Sequence, residues 1–161
     1  MEMIMNSNLD QYDIKILEAL QMDAELSVAA LAAKIGLSHT PCWRRVKALK
    51  QAGYIQRSVF LLDPQKLGIG VSVFVEISME RHDPKSLEAF EEAVQGLPNI
   101  LECYSISGNR DYIIRVSVES IEMYEEFLKS RLLSLPNIAS VNSRFTMKKV
   151  KYTTAVPLRR F

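Results

Sequence analysis

Two stretches of the chain end alike. "FEEAVQGLPNI" (90–100) and "FLKSRLLSLPNI" (127–138) each carry a helical pattern into Leu-Pro-Asn-Ile, where proline cannot continue a helix and a β-rich run begins. The pattern predicts strand 70–80 ("GVSVFVEISME"), helix 84–96, strand 100–107 ("ILECYSIS"), a turn at "GNRD", strand 112–118 ("YIIRVSV"), helix 120–134 and strand 138–150. That order is β-α-β-β-α-β, and a duplicated βαβ half builds the ferredoxin-like split βαβ fold. Such a sheet has four antiparallel strands with helices on one face. The other face needs a cover, and Phe74, Val75, Tyr104, Ile106, Ile114, Val116 and Phe145 are an apolar set for a solvated sheet, some of them belonging to the helix side. The expected cover is a second subunit, so the chain is expected to be at least a dimer.

The N-terminal third has a different period. Residues 9–22 read as a helix: Asp10 suits the N-cap, Asp13 suits the positive end of the helix dipole, and Leu9 with Ile14 has the spacing of a hydrophobic staple. Ile16, Leu17 and Leu20 supply its buried stripe. Ser27 caps a short second helix through Ile35, with Leu31, Ala32 and Ile35 inward, and Gly36 stands where a left-handed residue closes a helix. Ser38 caps a third helix that tolerates Pro41 in its first turn and ends at Gly53. Helix, short glycine turn, helix is the helix-turn-helix pattern. The expected organisation is a helix-turn-helix domain over 1–53, a linker over 54–68 ("YIQRSVFLL", then "DPQKLG") and a ferredoxin-like oligomerisation domain over 69–161, α+β overall.

Charge is laid out in blocks that the formal total of +1 conceals. Residues 1–33 have six acids and one lysine; 34–57 have six Lys or Arg and no acid; 58–143 have thirteen acids and seven basic residues; 144–161 have six basic residues and no acid. A helical wheel of the third helix puts Cys42, Val46 and Leu49 on one side and His39, Thr40, Trp43, Lys47 and Lys50 on the other, with Arg44 at their flank. Arg45 falls beside the apolar stripe, where it either pairs with an acid of the first helix or reaches a phosphate. A basic solvated face is one explanation of this charge. The other is a recognition helix in the major groove of double-stranded DNA: Arg and Lys donate to guanine edges, and the threonine methyl or Trp ring meets a thymine methyl. Ser38 and the helix N-terminus suit a phosphate, as do Lys50 and Arg57, which hold the backbone without reading sequence.

In "SGNRDY" (107–112), Gly108 and Asn109 favour a tight turn and Asp111 opens the next strand. A plain hairpin accounts for this; a binding loop does so as well, with loop amides on a carboxylate and Asp111 on an ammonium group. Enzyme patterns are absent: His39 and His82 are the only histidines, and no catalytic triad order, zinc-peptidase helix, P-loop or dinucleotide fingerprint occurs. Cys42 and Cys103 make neither a disulfide framework nor a metal spacing. No cofactor or metal is expected. "MEMIMNSN" has no secretory-signal character, and no apolar run reaches membrane-spanning length, so the expected location is the cytoplasm, with the nucleoid.

Together the motifs resemble the Lrp/AsnC family of transcription regulators. "LDQYDIKILEALQMDAELSVAALAAKIGLSHTPCWRRVKALKQAGYI", "LLDPQKLG", "LPNILECYSISGNRDY" and "KYTTAVPL" follow its pattern over about residues 9–158. The resemblance implies a winged helix-turn-helix joined by a β-hinge (54–68) to a ferredoxin-like effector domain, dimers through that C-terminal domain, assembly into tetramers of dimers, and an amino-acid effector at interfaces between dimers. The family's S-x-T-P-C-x-R-R-V helix is matched by Ser38, Thr40, Pro41, Cys42, Arg44, Arg45 and Val46, and its G-x-x-D-Y loop by Gly108, Asp111 and Tyr112; Asn109 and Arg110 fill the loop's two open positions. Two departures stand out. Ala24-Glu25 replaces a Gly-Arg turn, removing a basic residue near DNA, and Ala30 replaces a capping glutamate. The expected function is an amino-acid-responsive, sequence-specific DNA-binding regulator. The alternatives are an architectural DNA-wrapping protein or, from another class, an amino-acid-metabolising enzyme.

Overall fold

The computed structural model describes residues 9–158; the reading of residues 1–8, and Arg159 and Arg160 of the basic tail, lie outside them. Contacts divide the chain into two units. One extends to Leu61 and takes up residues 151–158; the other is Leu62–Val150.

The first unit has three helices: α1 (Gln11–Met22), α2 (Val28–Ile35) and α3 (His39–Gln51). Asp10 caps α1 as expected, and Asp13, expected to act only through the helix dipole, completes a capping box, each carboxylate accepting the other's backbone N–H. Ser27 caps α2 by accepting the Ala30 N–H at 3.1 Å, and Gly36 follows in the left-handed region, φ 75°. Ser38 stands at the N-cap of α3, but its hydroxyl makes no capping bond. Ile16, Ala19, Leu31, Ala32, Ile35, Cys42 and Leu49 form the core, with Leu17, Leu20 and Val46 packed partly buried against it. The tail returns to this unit: the Gln21 side-chain amide donates to the Val156 carbonyl and accepts its N–H, at 3.1 and 3.0 Å.

The expected hinge strand does not form within one copy of the chain. Among the described residues, 55–63 form no strand, and Val59, Phe60, Leu61 and Leu62 are exposed. The β-rich composition is real, but a strand needs a neighbouring strand for its ladder, and one copy of the chain supplies none here.

The second unit is β1 (Val71–Met79), α4 (Pro84–Gln95), β2 (Ile100–Ser105), β3 (Tyr112–Val118), α5 (Ile121–Ser130), a 3-10 turn (Leu132–Ser134) and β4 (Ile138–Phe145). The sheet is antiparallel, in the order β2-β3-β1-β4. Both ends of the second repeat are shorter than expected. Arg131 leaves helical geometry, and the Ser134 hydroxyl donates to its carbonyl at 2.7 Å, so α5 ends at Ser130. β4 ends at Phe145, whose register partner Val73 lies near the start of β1; theirs is the last pair of the two strands.

Period-two alternation sorts the sheet. Val73, Val75, Ile77, Met79, Tyr112, Ile114, Val116 and Val118 are buried under Phe90, Val94, Tyr124, Phe127 and Leu132. Val75, Ile114 and Val116 therefore serve the helix side. Phe145 does too, packing edge-on against Tyr124 at 5.2 Å between ring centroids. The opposite face is more polar than expected. The register gives it Phe74, Glu76 and Ser78 of β1, Ile113 and Arg115 of β3, Glu102 and Tyr104 of β2, and Ser140, Asn142 and Arg144 of β4.

Phe90 is fully buried against Tyr112, ring centroids 4.7 Å apart. Phe90→Ala is expected to cost the C-terminal unit about 3–5 kcal/mol in urea unfolding. A loss below about 1 kcal/mol would mean that this core repacks freely.

Candidate functional site

The first site is the outer face of α3. Cys42 and Leu49 are buried and Val46 is half-buried, so the rotation of the helix is fixed by packing. That rotation leaves His39, Thr40, Trp43, Arg44, Lys47 and Lys50 exposed. Lys47 Nζ lies 5.3 Å from the Trp43 ring centroid, a cation–π contact that brings the two side chains together. Ser38 is exposed at the start of the helix, and Arg57 is exposed in the connection that follows it.

Arg45 is placed differently from its neighbours. Its Nη1 lies 2.7 Å from Asp10 Oδ2 and 2.8 Å from Asp13 Oδ1, and its guanidinium sits 5.5 Å from the Tyr12 ring centroid. Of the two roles open to it, the acid of the first helix holds it here. Burial alone pushes the Asp10 carboxyl up, but the Asp13 backbone N–H and the Arg45 guanidinium outweigh it and hold the carboxyl below its ordinary value. The Arg45 guanidinium is in turn held charged, chiefly by its bond to Asp13. The two residues that cap α1 thus also clamp α3.

The second site is one end of the sheet in the other unit. The β2–β3 loop closes when Ile106 N–H donates to the Asp111 carbonyl at 2.9 Å, and Gly108 within it has φ 122°, a conformation open to glycine. Gly108 and Asn109 are exposed and Arg110 is half-buried. The Asp111 carboxylate extends the β1–β3 ladder: its Oδ2 accepts the Met79 N–H at 2.7 Å, and its Oδ1 lies 2.8 Å from His82 Nε2. The bond from Met79 holds this carboxyl below its ordinary value, burial opposes, and His82 assists. Arg110 Nη1 donates to Ser78 Oγ at 2.8 Å and Ser140 Oγ at 3.1 Å. Tyr112 is instead a core residue, donating its hydroxyl to Glu91 Oε1 at 2.6 Å; burial, then that bond, pushes its pKa far up.

Sequence reasoning passed over His82 and Asn137. Asn137, at φ 66°, accepts the Arg81 N–H at 2.9 Å and donates to the Arg81 carbonyl at 2.7 Å. Its own carbonyl accepts the Glu80 N–H. The loop carrying His82 is thereby pinned beside Asp111. The only sequence signals were the second Leu-Pro-Asn-Ile, which contains Asn137, and a histidine beside a helix cap in "RHDP".

Comparison with known proteins agrees with both halves. Residues 9–56 match the winged helix-turn-helix DNA-binding family, and residues 72–156 match the Lrp/AsnC ligand binding domain. The chain is 39% identical over 150 residues to the DNA-binding transcriptional activator DecR of Escherichia coli, covering 93% of this chain and 99% of that one. It is 41% identical to the glutamate uptake regulatory protein of Zymomonas mobilis, over 93% and 91% of the two chains. An AsnC family transcriptional regulator from Agrobacterium tumefaciens superposes with a TM-score of 0.89 at 44% identity, over 92% and 97% of the chains. A Neisseria meningitidis transcriptional regulator solved with L-Met also scores 0.89, at 32% identity, over 92% and 96%. The chain belongs to the Lrp/AsnC family. It is a DNA-binding transcription regulator. For this Lrp/AsnC regulator, no described helix is long and apolar enough to cross a membrane.

Two consequences are measurable. Arg45→Ala should destabilise the N-terminal unit by about 1–2 kcal/mol, a charged hydrogen bond discounted for partial exposure, and leave the salt dependence of DNA binding unchanged. Unaltered stability with a log–log salt slope reduced by about one would make Arg45 a phosphate contact instead. For Asp111, a lowered folded pKa means its stabilisation is complete above the unfolded value of about 4 and lost as pH falls through the folded one. Asp111→Asn should therefore lower stability at pH 7 and flatten the loss below pH 4, read from urea midpoints. A variant with the wild-type acid profile would contradict that role.

Proposed function

We propose that the exposed face of α3 reads promoter DNA and that the sheet end around residues 108–112 receives a free amino acid which alters DNA binding or assembly. Trp43, Arg44 and Lys47 are assigned to base edges with Thr40 and His39 beside them, and Ser38, Lys50 and Arg57 to phosphates. The observation that carries the DNA half is the sorting of α3: Cys42 and Leu49 closed into the core, Trp43, Arg44 and Lys47 open, and Arg45 withdrawn onto α1. The effector half rests on the match to a ligand-binding domain and on a relative bound to L-Met.

The protein acts as a homo-oligomer in the cytoplasm, associated with the nucleoid, and not as an enzyme. Its dimer uses the middle of the sheet's open face, where Phe74 and Tyr104 are exposed between charged neighbours, and leaves the Ser78–Ser140 end to the effector. Dimers gather into tetramers of dimers. A dimer supplies two copies of α3, as two half-sites of DNA require.

Arg44→Ala should weaken binding to a selected promoter fragment by about 1–3 kcal/mol and leave random DNA little changed, measured by anisotropy at ~150 mM salt. Lys50→Ala should weaken both equally and reduce the salt slope by about one. If Arg44→Ala weakens both DNAs alike, Arg44 reads no base. If the wild type itself makes no distinction between them, the architectural reading takes over.

A further inference from the structure

We infer that Arg110 is the group that recognises the effector's carboxylate, so that the site selects free α-amino acids over their amides. This rests on the proposed binding of an amino acid at this end of the sheet. Arg110 reaches across from the β2–β3 loop to Ser78 and Ser140, which face one another on β1 and β4 on the open side. Both partners are neutral hydroxyls, and both are served by Nη1.

The other arginines of that face are neutralised. Arg115 is paired with Glu102, and Arg144 with Glu76, which also accepts from Asn142. Arg110 has no ion pair among the described residues, and its Nε and Nη2 have no acceptor there. Those two atoms are the parallel donors of the guanidinium fork, the geometry that matches the two oxygens of a carboxylate. With Nη1 committed to two serines, the fork is half-buried, and no described carboxylate forms an ion pair with it.

An opposite charge is fixed close by. Asp111 holds the N–H of Met79, the residue after Ser78, and one step along a strand is about 3.3 Å. The strand end therefore carries a cation anchored at Ser78 and an anion anchored at Met79. A free α-amino acid presents the complementary pair: its carboxylate to the Arg110 fork, and its ammonium to the outer side of Asp111, whose Oδ1 otherwise faces the exposed ring of His82. An amide or ester of the same amino acid keeps the ammonium and the side chain but offers the fork no charge.

The test screens full-length wild type, Arg110→Gln and Arg110→Lys by calorimetry against the twenty amino acids and their C-terminal amides, with assembly mass recorded for each variant. Wild type is expected to bind at least one amino acid and to bind its amide at least tenfold more weakly. Arg110→Gln should bind that acid roughly ten- to a hundredfold more weakly and lose the acid-over-amide preference, with Arg110→Lys intermediate. An Arg110→Gln variant that keeps the preference overturns the assignment. A change of assembly mass with the preference intact also overturns it, by giving the fork to a second copy of the chain. If no amino acid binds wild type, the proposed effector function falls, and this inference with it.

Discussion

One-sided burial governs both units. In α3 a 3.6-residue period closes Cys42 and Leu49 into a core; in β1 and β3 a two-residue period closes Val73, Val75, Ile114 and Val116 beneath two helices. Each element is thereby rotated to one setting, and what it presents outward follows from packing. A one-residue slip of β1 would bring Glu76 and Ser78 into the core and expel Val75 and Ile77. The exposed face of α3 is fixed by the same logic.

Electrostatics then divides labour among residues of one type. Arg44 and Arg45 are neighbours in sequence, yet Arg45 is drawn onto Asp10 and Asp13 while Arg44 stays exposed. On the sheet, Arg115 and Arg144 find carboxylates while Arg110 finds only hydroxyls. Arginines tied to acids lend rigidity to the frame. Arg44 and Arg110, left without one, are the arginines proposed to meet DNA in one unit and a carboxylate in the other.

Much of this could be read in the chain itself. The duplicated Leu-Pro-Asn-Ile located both helix-to-strand passages, and Ser27, Gly36 and Asp10 marked helix ends through local chemistry that does not need a fold. The faces of α3 followed from its period. What escaped depends on contacts distant in sequence. Phe145 lies on the helix side because of its register with Val73, 72 positions earlier. Asp111 spends one oxygen on Met79 and the other on His82, 32 and 29 residues away, and no local pattern around "GNRD" announces either. The hinge shows the converse: β-rich composition is local, but pairing requires a partner strand, and one copy of the chain supplies none over 55–63.

The coupling of the two units is the central claim, and equilibrium DNA binding tests it most directly. The affinity of the full chain for DNA selected by it from a random pool would be measured at ~150 mM salt, alone and with each of the twenty amino acids at saturation. At least one amino acid is expected to change that affinity by roughly 5- to 150-fold, and selected DNA to change the affinity for that amino acid by the same factor. DNA affinity that stays the same with every amino acid bound would contradict it.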